Sequence, residues 1–122
     1  MIEGTLIGES MRAGTELDAV PLVTRAIKRV ARGDTSAGQP GLWTVIEFEA
    51  DERDADTLAG GLAKALERDG GWYADFRTPE ETFVVFADRI FRYPRGDSSG
   101  RAEAADHGRS VGVPESQLDW PA

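Results

Sequence analysis

The sequence predicts an α+β domain: an antiparallel sheet of five or six strands containing a C-terminal three-stranded aromatic meander, with two or three helices packed on it. Three stretches carry that expectation. Leu42 to Ala50, LWTVIEFEA, alternates with the period of a half-buried strand. Asp51 to Asp69 repeats its apolar residues at helical spacing. Gly70 to Gly96 gathers Trp72, Tyr73, Phe76, Phe83, Phe86, Phe91 and Tyr93 in short runs separated by two turn signals.

Taken in order, Ile2 to Ser10 alternates loosely, and Gly4 and Gly8 weaken it, which points to a strand at a sheet edge. Leu17 to Arg32 reads in two ways. As a helix, Asp18 is the N-cap and Pro21 lies in the first turn, where its missing N–H costs little. Val23, Ile27 and Val30 then share one face, and Arg25, Lys28, Arg29 and Arg32 form a basic stripe on another. As a strand, Leu22 to Ala31 is rich in β-branched residues but separates its two faces poorly. Gly33 to Gly41 is a loop by composition. In LWTVIEFEA, Thr44, Ile46 and Phe48 point one way, and Trp43, Val45, Glu47 and Glu49 the other.

The helix expected from Asp51 is capped by Asp51 or Asp54, and its stripe is Ala55, Leu58, Ala59, Leu62, Ala65 and Leu66. Gly70 stands where a C-terminal glycine belongs. Gly60-Gly61 costs roughly 1 kcal/mol per residue relative to Ala, which close approach of helix and sheet would explain. In the meander, Trp72, Ala74 and Phe76 share a face opposite Tyr73, Asp75 and Arg77. Thr78 to Glu81 and Asp88-Arg89 are its turns. Thr82 to Ala87 is apolar on both faces, as in a central strand covered on both sides. Ser98 or Ser99 caps a second helix, about Gly100 to Ser110, with a thin apolar face of Ala102, Ala105 and Val111 beside Ala104. Leu118 and Trp120 give the tail a reason to pack down and supply the second cover.

A length of 122 residues favours a single globular domain over residues 1–122. The formal net charge of -8 favours solubility and weighs against broad nucleic-acid binding. The absence of cysteine excludes disulfides, thiolate metal sites and cysteine nucleophiles. No apolar run reaches the ~18 residues of a membrane span, and MIEGTLIGES has an early acid and no basic n-region. A cytoplasmic protein without a signal peptide is therefore expected.

The candidate ligand- or partner-binding residues are Tyr73, Asp75 and Arg77, a polar ladder on one strand face, and Arg89, Arg92 and Arg95, which with Arg101 surround the end of the meander. Such arginines suit a phosphate, a carboxylate or an acidic partner. The plainer accounts are an exposed sheet face and arginine stems lying over rings. Glu47 and Glu49 stand about 7 Å apart on one face, a spacing open to acid/base chemistry or a hard cation, though solvent-facing alternation produces the same pattern. Asp51, Glu52, Asp54 and Asp56 lack the calcium-loop spacing and suit a helix start. His107 is the only histidine; as a general base it would have Asp106 or Glu103 nearby, though a neighbour at i−1 does not face it on a helix, and a surface helical histidine is the plainer account. Gly96 to Gly100 lacks the Gly-Lys-Ser/Thr ending of a phosphate loop. No catalytic residue, metal ligand set or cofactor follows from any of this.

The chain also resembles a small family of uncharacterised bacterial proteins, with wording of an actinobacterial kind. The residues that carry the resemblance are Gly71 to Phe76, Phe83 to Phe86, Phe91 to Asp97 and Gly112 to Trp120, with Met1 to Gly4 and Trp43 to Glu49 fitting the same impression. The resemblance implies a compact domain standing alone and a strand over residues 22–31. It supplies no activity and no catalytic residues.

The expectation is a non-catalytic protein-interaction or ligand-binding module, immunity or regulatory in kind, with an unknown protein partner or a second copy of the chain. The alternative is a small enzyme or sensor that binds an anionic small molecule through Tyr73, Asp75, Arg77, Arg89, Arg92 and Arg95. Nucleic acid ranks below both, and no membrane association is expected.

Overall fold

The computed structural model describes residues 1–121. Its strands are β1 (Ile2–Ile7), β2 (Val23–Ala31), β3 (Leu42–Ala50), β4 (Ala74–Arg77), β5 (Glu81–Phe86) and β6 (Arg89–Pro94), and its helices are α1 (Ala55–Ala65) and α2 (Ser98–Ser110). All six strands form one sheet in the order β2-β3-β1-β4-β5-β6, and every neighbouring pair is antiparallel. The α+β fold and its C-terminal meander, β4-β5-β6, are as the sequence predicts.

The two faces of the sheet are covered unequally. On one face, Ile2, Leu6, Phe48, Ala74, Phe76, Phe83 and Val85 pack against Leu58, Ala59 and Leu62 of α1, with Val20 and Leu17 of the preceding loop at the side. On the other, Val84, Phe86 and Tyr93 are buried under Ala104 and Ala105 of α2 and under Val113, Leu118 and Trp120 of the tail. The apolar-on-both-sides pattern of β5 is explained by this double cover: Phe83, Val84, Val85 and Phe86 are all almost fully buried. The tail is held by polar bonds as well. The Tyr73 hydroxyl donates to Gln117 O at 3.0 Å, Tyr93 to Pro121 O at 2.6 Å, and the Arg101 guanidinium to Trp120 O at 2.8 Å and Leu118 O at 2.6 Å.

Several local expectations are corrected. β1 is a central strand, between β3 and β4, and not an edge. Gly4 is there because a Cβ at that position would lie 2.5 Å from Phe48 Cζ and 2.6 Å from Phe76 Cβ; the Phe48 ring and the Phe76 Cβ occupy the space above it. Residues 23–31 are a strand, so the basic stripe of the helical reading does not exist. Arg25 and Lys28 reach Glu49 and Glu47, whereas Arg29 reaches Glu9 and Thr44. This strand reads poorly because it is the outer one, with a bulge at Thr24/Ala26 and most residues exposed on either side.

α1 is shorter than its periodicity suggests. Residues 52–54 form a 3₁₀ turn capped by Asp51, and the helix ends at Ala65, short of Gly70. Gly60 has open space around it and Gly61 meets Leu17, so neither marks a close approach to the sheet. The N-cap of α2 is Asp97, whose carboxylate accepts from the amides of Ser99 and Gly100. The buried face of α2 is Ala104, Ala105 and Gly108, and Ala102 is exposed. Trp72 lies outside β4 and packs against Trp43, their ring centroids 5.5 Å apart. Gly70 and Gly71, both at positive φ, turn the chain there.

Candidate functional site

The second face of the sheet is covered only where α2 and the tail reach. It is open around Glu3 and Thr5 of β1, Glu47 and Glu49 of β3 and the first residues of β2, whereas Trp43 at the start of β3 is buried against Trp72. The strand register arranges the side chains there as a grid. Val23, Glu49, Glu3 and Arg77 form one cross-strand row, and Glu47, Thr5 and Asp75 form the next. Glu3 is opposite Arg77 and diagonal to Asp75, and diagonal neighbours lie about 7–8 Å apart. These residues, with Arg25 and the backbone of Gly4 and Phe48, line a cleft of about 300 Å³.

The charges of the cleft are unequally satisfied. Arg25 pairs with Glu49 at 2.8 Å and Lys28 with Glu47 at 2.8 Å, both across the β2-β3 pair. Among the described residues, the side chains of Glu3, Asp75 and Arg77 have neither a hydrogen bond nor an ion pair, although all three line the cleft. Asp75 is densely surrounded but keeps partial exposure. Burial pushes its carboxyl up to about 6; the Arg77 charge opposes that rise and Asp119 adds to it. A carboxylate that is desolvated without a partner is costly in its charged form, and a cation placed beside it would lower that cost.

The structure separates the six residues singled out from the sequence. Asp75 and Arg77 stand in the cleft. Tyr73 lies under the tail, its ring 5.3 Å from that of Trp120, and burial pushes its phenol above the ordinary range. Arg95 meets Arg77 across an adjoining recess of about 550 Å³, lined also by Met1, Glu3, Thr78, Pro79 and Pro121. Arg92 is on the α1 face, over the Phe83 ring, and pairs with Glu81 at 2.7 Å and Asp56 at 2.6 Å. Arg89 lies over the Phe91 ring at 4.8 Å, away from the cleft. The ladder and the arginine cluster thus meet only at Arg77 and Arg95.

Glu47 and Glu49 do share a face, as their alternation indicates, and each faces a cation of β2. Among the described residues no three His, Asp or Glu side chains are placed to hold a metal ion. His107 is half-buried against Phe86 and Phe91, and burial with the Arg89 charge holds its pKa below the ordinary value. Sequence reasoning missed Glu3 and Thr5 as neighbours of Asp75 and Arg25 as part of the same cleft. The alternation of β1 carries the faces of Glu3 and Thr5, but nothing in it names β4 as the strand alongside. Set beside protein-family models, curated proteins and solved structures, this chain matches none of them.

Proposed function

We propose that this chain is a non-catalytic protein-interaction module, regulatory or immunity in kind, acting in the cytoplasm through the open half of its sheet. One observation carries the reading: the second face is sealed by α2 and the tail over β5 and β6 but left open over the Glu3, Thr5, Glu47 and Glu49 positions of β1 and β3, where Glu3, Asp75 and Arg77 stand unpaired. Fixed, unpaired charges on a rigid sheet suit recognition of a charged partner surface, because the cost of positioning them is met in folding. The cleft is polar and open, unlike the apolar, enclosing pockets that hold most small molecules. Cysteine-free composition supports a cytoplasmic setting.

The second reading, a small enzyme or sensor for an anionic molecule, draws support from Arg77 and Arg95 sharing one recess. An NMR titration separates the two. The amide spectrum is followed while acetate, inorganic phosphate and the amide-capped residues N-acetyl-arginine-N-methylamide and N-acetyl-lysine-N-methylamide are added in turn. The module reading expects at least one charged probe to shift Thr5, Asp75 and Arg77 saturably. Silence of these amides toward every probe removes it. Shifts by phosphate alone, centred on Arg77 and Arg95, favour the anion reading.

A further inference from the structure

The geometry points to a specific occupant of the cleft: the guanidinium of an arginine carried on a partner protein, held between Glu3 and Asp75 with Glu49 beside them. This rests on the reading of the chain as an interaction module and names the chemistry that the module recognises.

The register supplies the first reason. Glu3 and Asp75 are diagonal neighbours on adjacent strands, with their stems about 7–8 Å apart. A planar cation entering between them meets a carboxylate on each side at ordinary charge-assisted hydrogen-bond length. Five N–H donors in a fixed fork serve two carboxylates at once, which one compact ammonium does less well. Thr5, beside Asp75 in its row, offers a hydroxyl that no described residue occupies.

The second reason is that the chain's own cations leave the place open. Arg25 and Lys28 are engaged with Glu49 and Glu47. Arg77 stands opposite Glu3 and lines both the cleft and the recess it shares with Arg95, and it pairs with neither free carboxylate. The acids that remain available are thus the two flanking the middle of the cleft. Asp75 keeps only partial exposure, so a cation reaching it would shed part of its water, which strengthens a charge-assisted bond.

The third reason favours a protein as the source. The Glu49-Glu3-Arg77 row continues outward to Val23, which is 60% exposed on the outermost strand. An apolar residue at the rim beside unpaired charge is interface anatomy, and arginine is among the residues that dominate binding at such centres. A free metabolite would leave this rim unused.

The test is a titration of the folded full-length chain, read by two-dimensional NMR, with N-acetyl-arginine-N-methylamide, its lysine counterpart, free agmatine, and a peptide in which arginine is followed by leucine. The expected result is saturable shifts at Thr5, Asp75 and Arg77 with the arginine probes. Affinity should be at least fivefold tighter for the Arg-Leu peptide than for agmatine, with Val23 shifting only with the peptide. Glu3→Gln and Asp75→Asn should each weaken peptide binding tenfold or more. Arg92→Ala, on the opposite face, should leave it unchanged, and the spectra report directly whether each variant is folded. Equal affinity for arginine and lysine probes overturns the guanidinium assignment, and agmatine binding as tightly as the peptide overturns the protein source. Binding unaffected by Glu3→Gln and Asp75→Asn overturns the site. If acetate shifts Thr5, Asp75 and Arg77 and no cation does, the module reading survives and this inference falls; shifts by phosphate alone overturn both in favour of the anion reading. Silence toward all probes removes both.

Discussion

At the scale of single residues, Asp75 has the clearest consequence. Its carboxyl is raised from 3.8 to about 6 by burial. In the folded state it therefore holds a proton that the unfolded chain has already released between about pH 4 and 6. Over that window the folded form binds more protons, so this group's contribution to stability falls as pH rises and stays low above pH 6. Asp75→Asn should then be more stable than the parent at pH 7.5 by about 1–3 kcal/mol, with the gap closing toward pH 4. Urea unfolding of both chains at pH 4.5 and 7.5 checks it; equal gaps at the two pH values would show that Asp75 titrates normally. Asp34 and Glu81 slope the other way, because Arg32 and Arg92 hold their pKa values down, but they are common to both chains and cancel in the difference. Gly4 is the second residue with a sharp expectation. Gly4→Ala forces a methyl against Phe48 and Phe76 and should destabilise the chain by about 1–3 kcal/mol, read as a lower urea midpoint. An unchanged midpoint would mean that the Phe48 ring and the β4 backbone at Phe76 both give way freely.

At the scale of elements, β2 and α2 show how local pattern and assembly diverge. β2 spaces Val23, Ile27 and Val30 as a helix would, yet it pairs with β3 along its length. A strand bound on one edge only should protect those amides that face β3 and leave the outward-facing ones fast. Hydrogen exchange across Val23–Ala31 should therefore alternate, interrupted at the bulge, whereas uniform protection would indicate a helix or a second strand alongside. α2 has little apolar surface and lies close by using small residues. A Cβ at Gly108 would come within 2.9 Å of Leu118, and one at Gly100 would overlap Tyr93. Its first turn depends on the Asp97 carboxylate. Asp97→Ala should speed exchange at Ser99, Gly100 and Arg101 without changing the α1 amides. The reach of the tail, legible in Leu118 and Trp120, is what allows so thin a helix to seal β5.

At the scale of the whole molecule, the sheet works as a partition with a buried cluster on each side, one under α1 and one under α2 and the tail. The second cluster is the smaller and ends at Trp120, which is 3% exposed and packs on Tyr73 and Phe86. Trp120→Ala should cost about 3–5 kcal/mol and bare the second face of β5, detectable as a lower thermal midpoint with increased binding of a hydrophobic dye. Loss of less than about 1 kcal/mol would show that α2 seals that face without the tail. Asymmetric cover also explains why the candidate site lies where it does. The tail and α2 stop above β4, and the polar side chains of β1 and β3 begin there.

The sequence by itself determined most of the elements and their faces: the strand at Leu42–Ala50 to the residue, the meander, the two-sided burial of Phe83 to Phe86, and the packing of the tail. These follow from period, turn chemistry and hydrophobicity, which act between residues near one another in the chain. It also drew attention to Asp75 and Arg77. Only the tertiary structure decided that β1 lies between β3 and β4, and with that the neighbours of Asp75. Strand order comes from long-range pairing and from fit between faces, such as Phe48 and Phe76 over Gly4, and neither leaves a periodic signal. For the same reason Arg89 and Arg92, close to Arg95 in sequence, lie elsewhere, while Glu3, more than seventy residues away, stands beside Arg77.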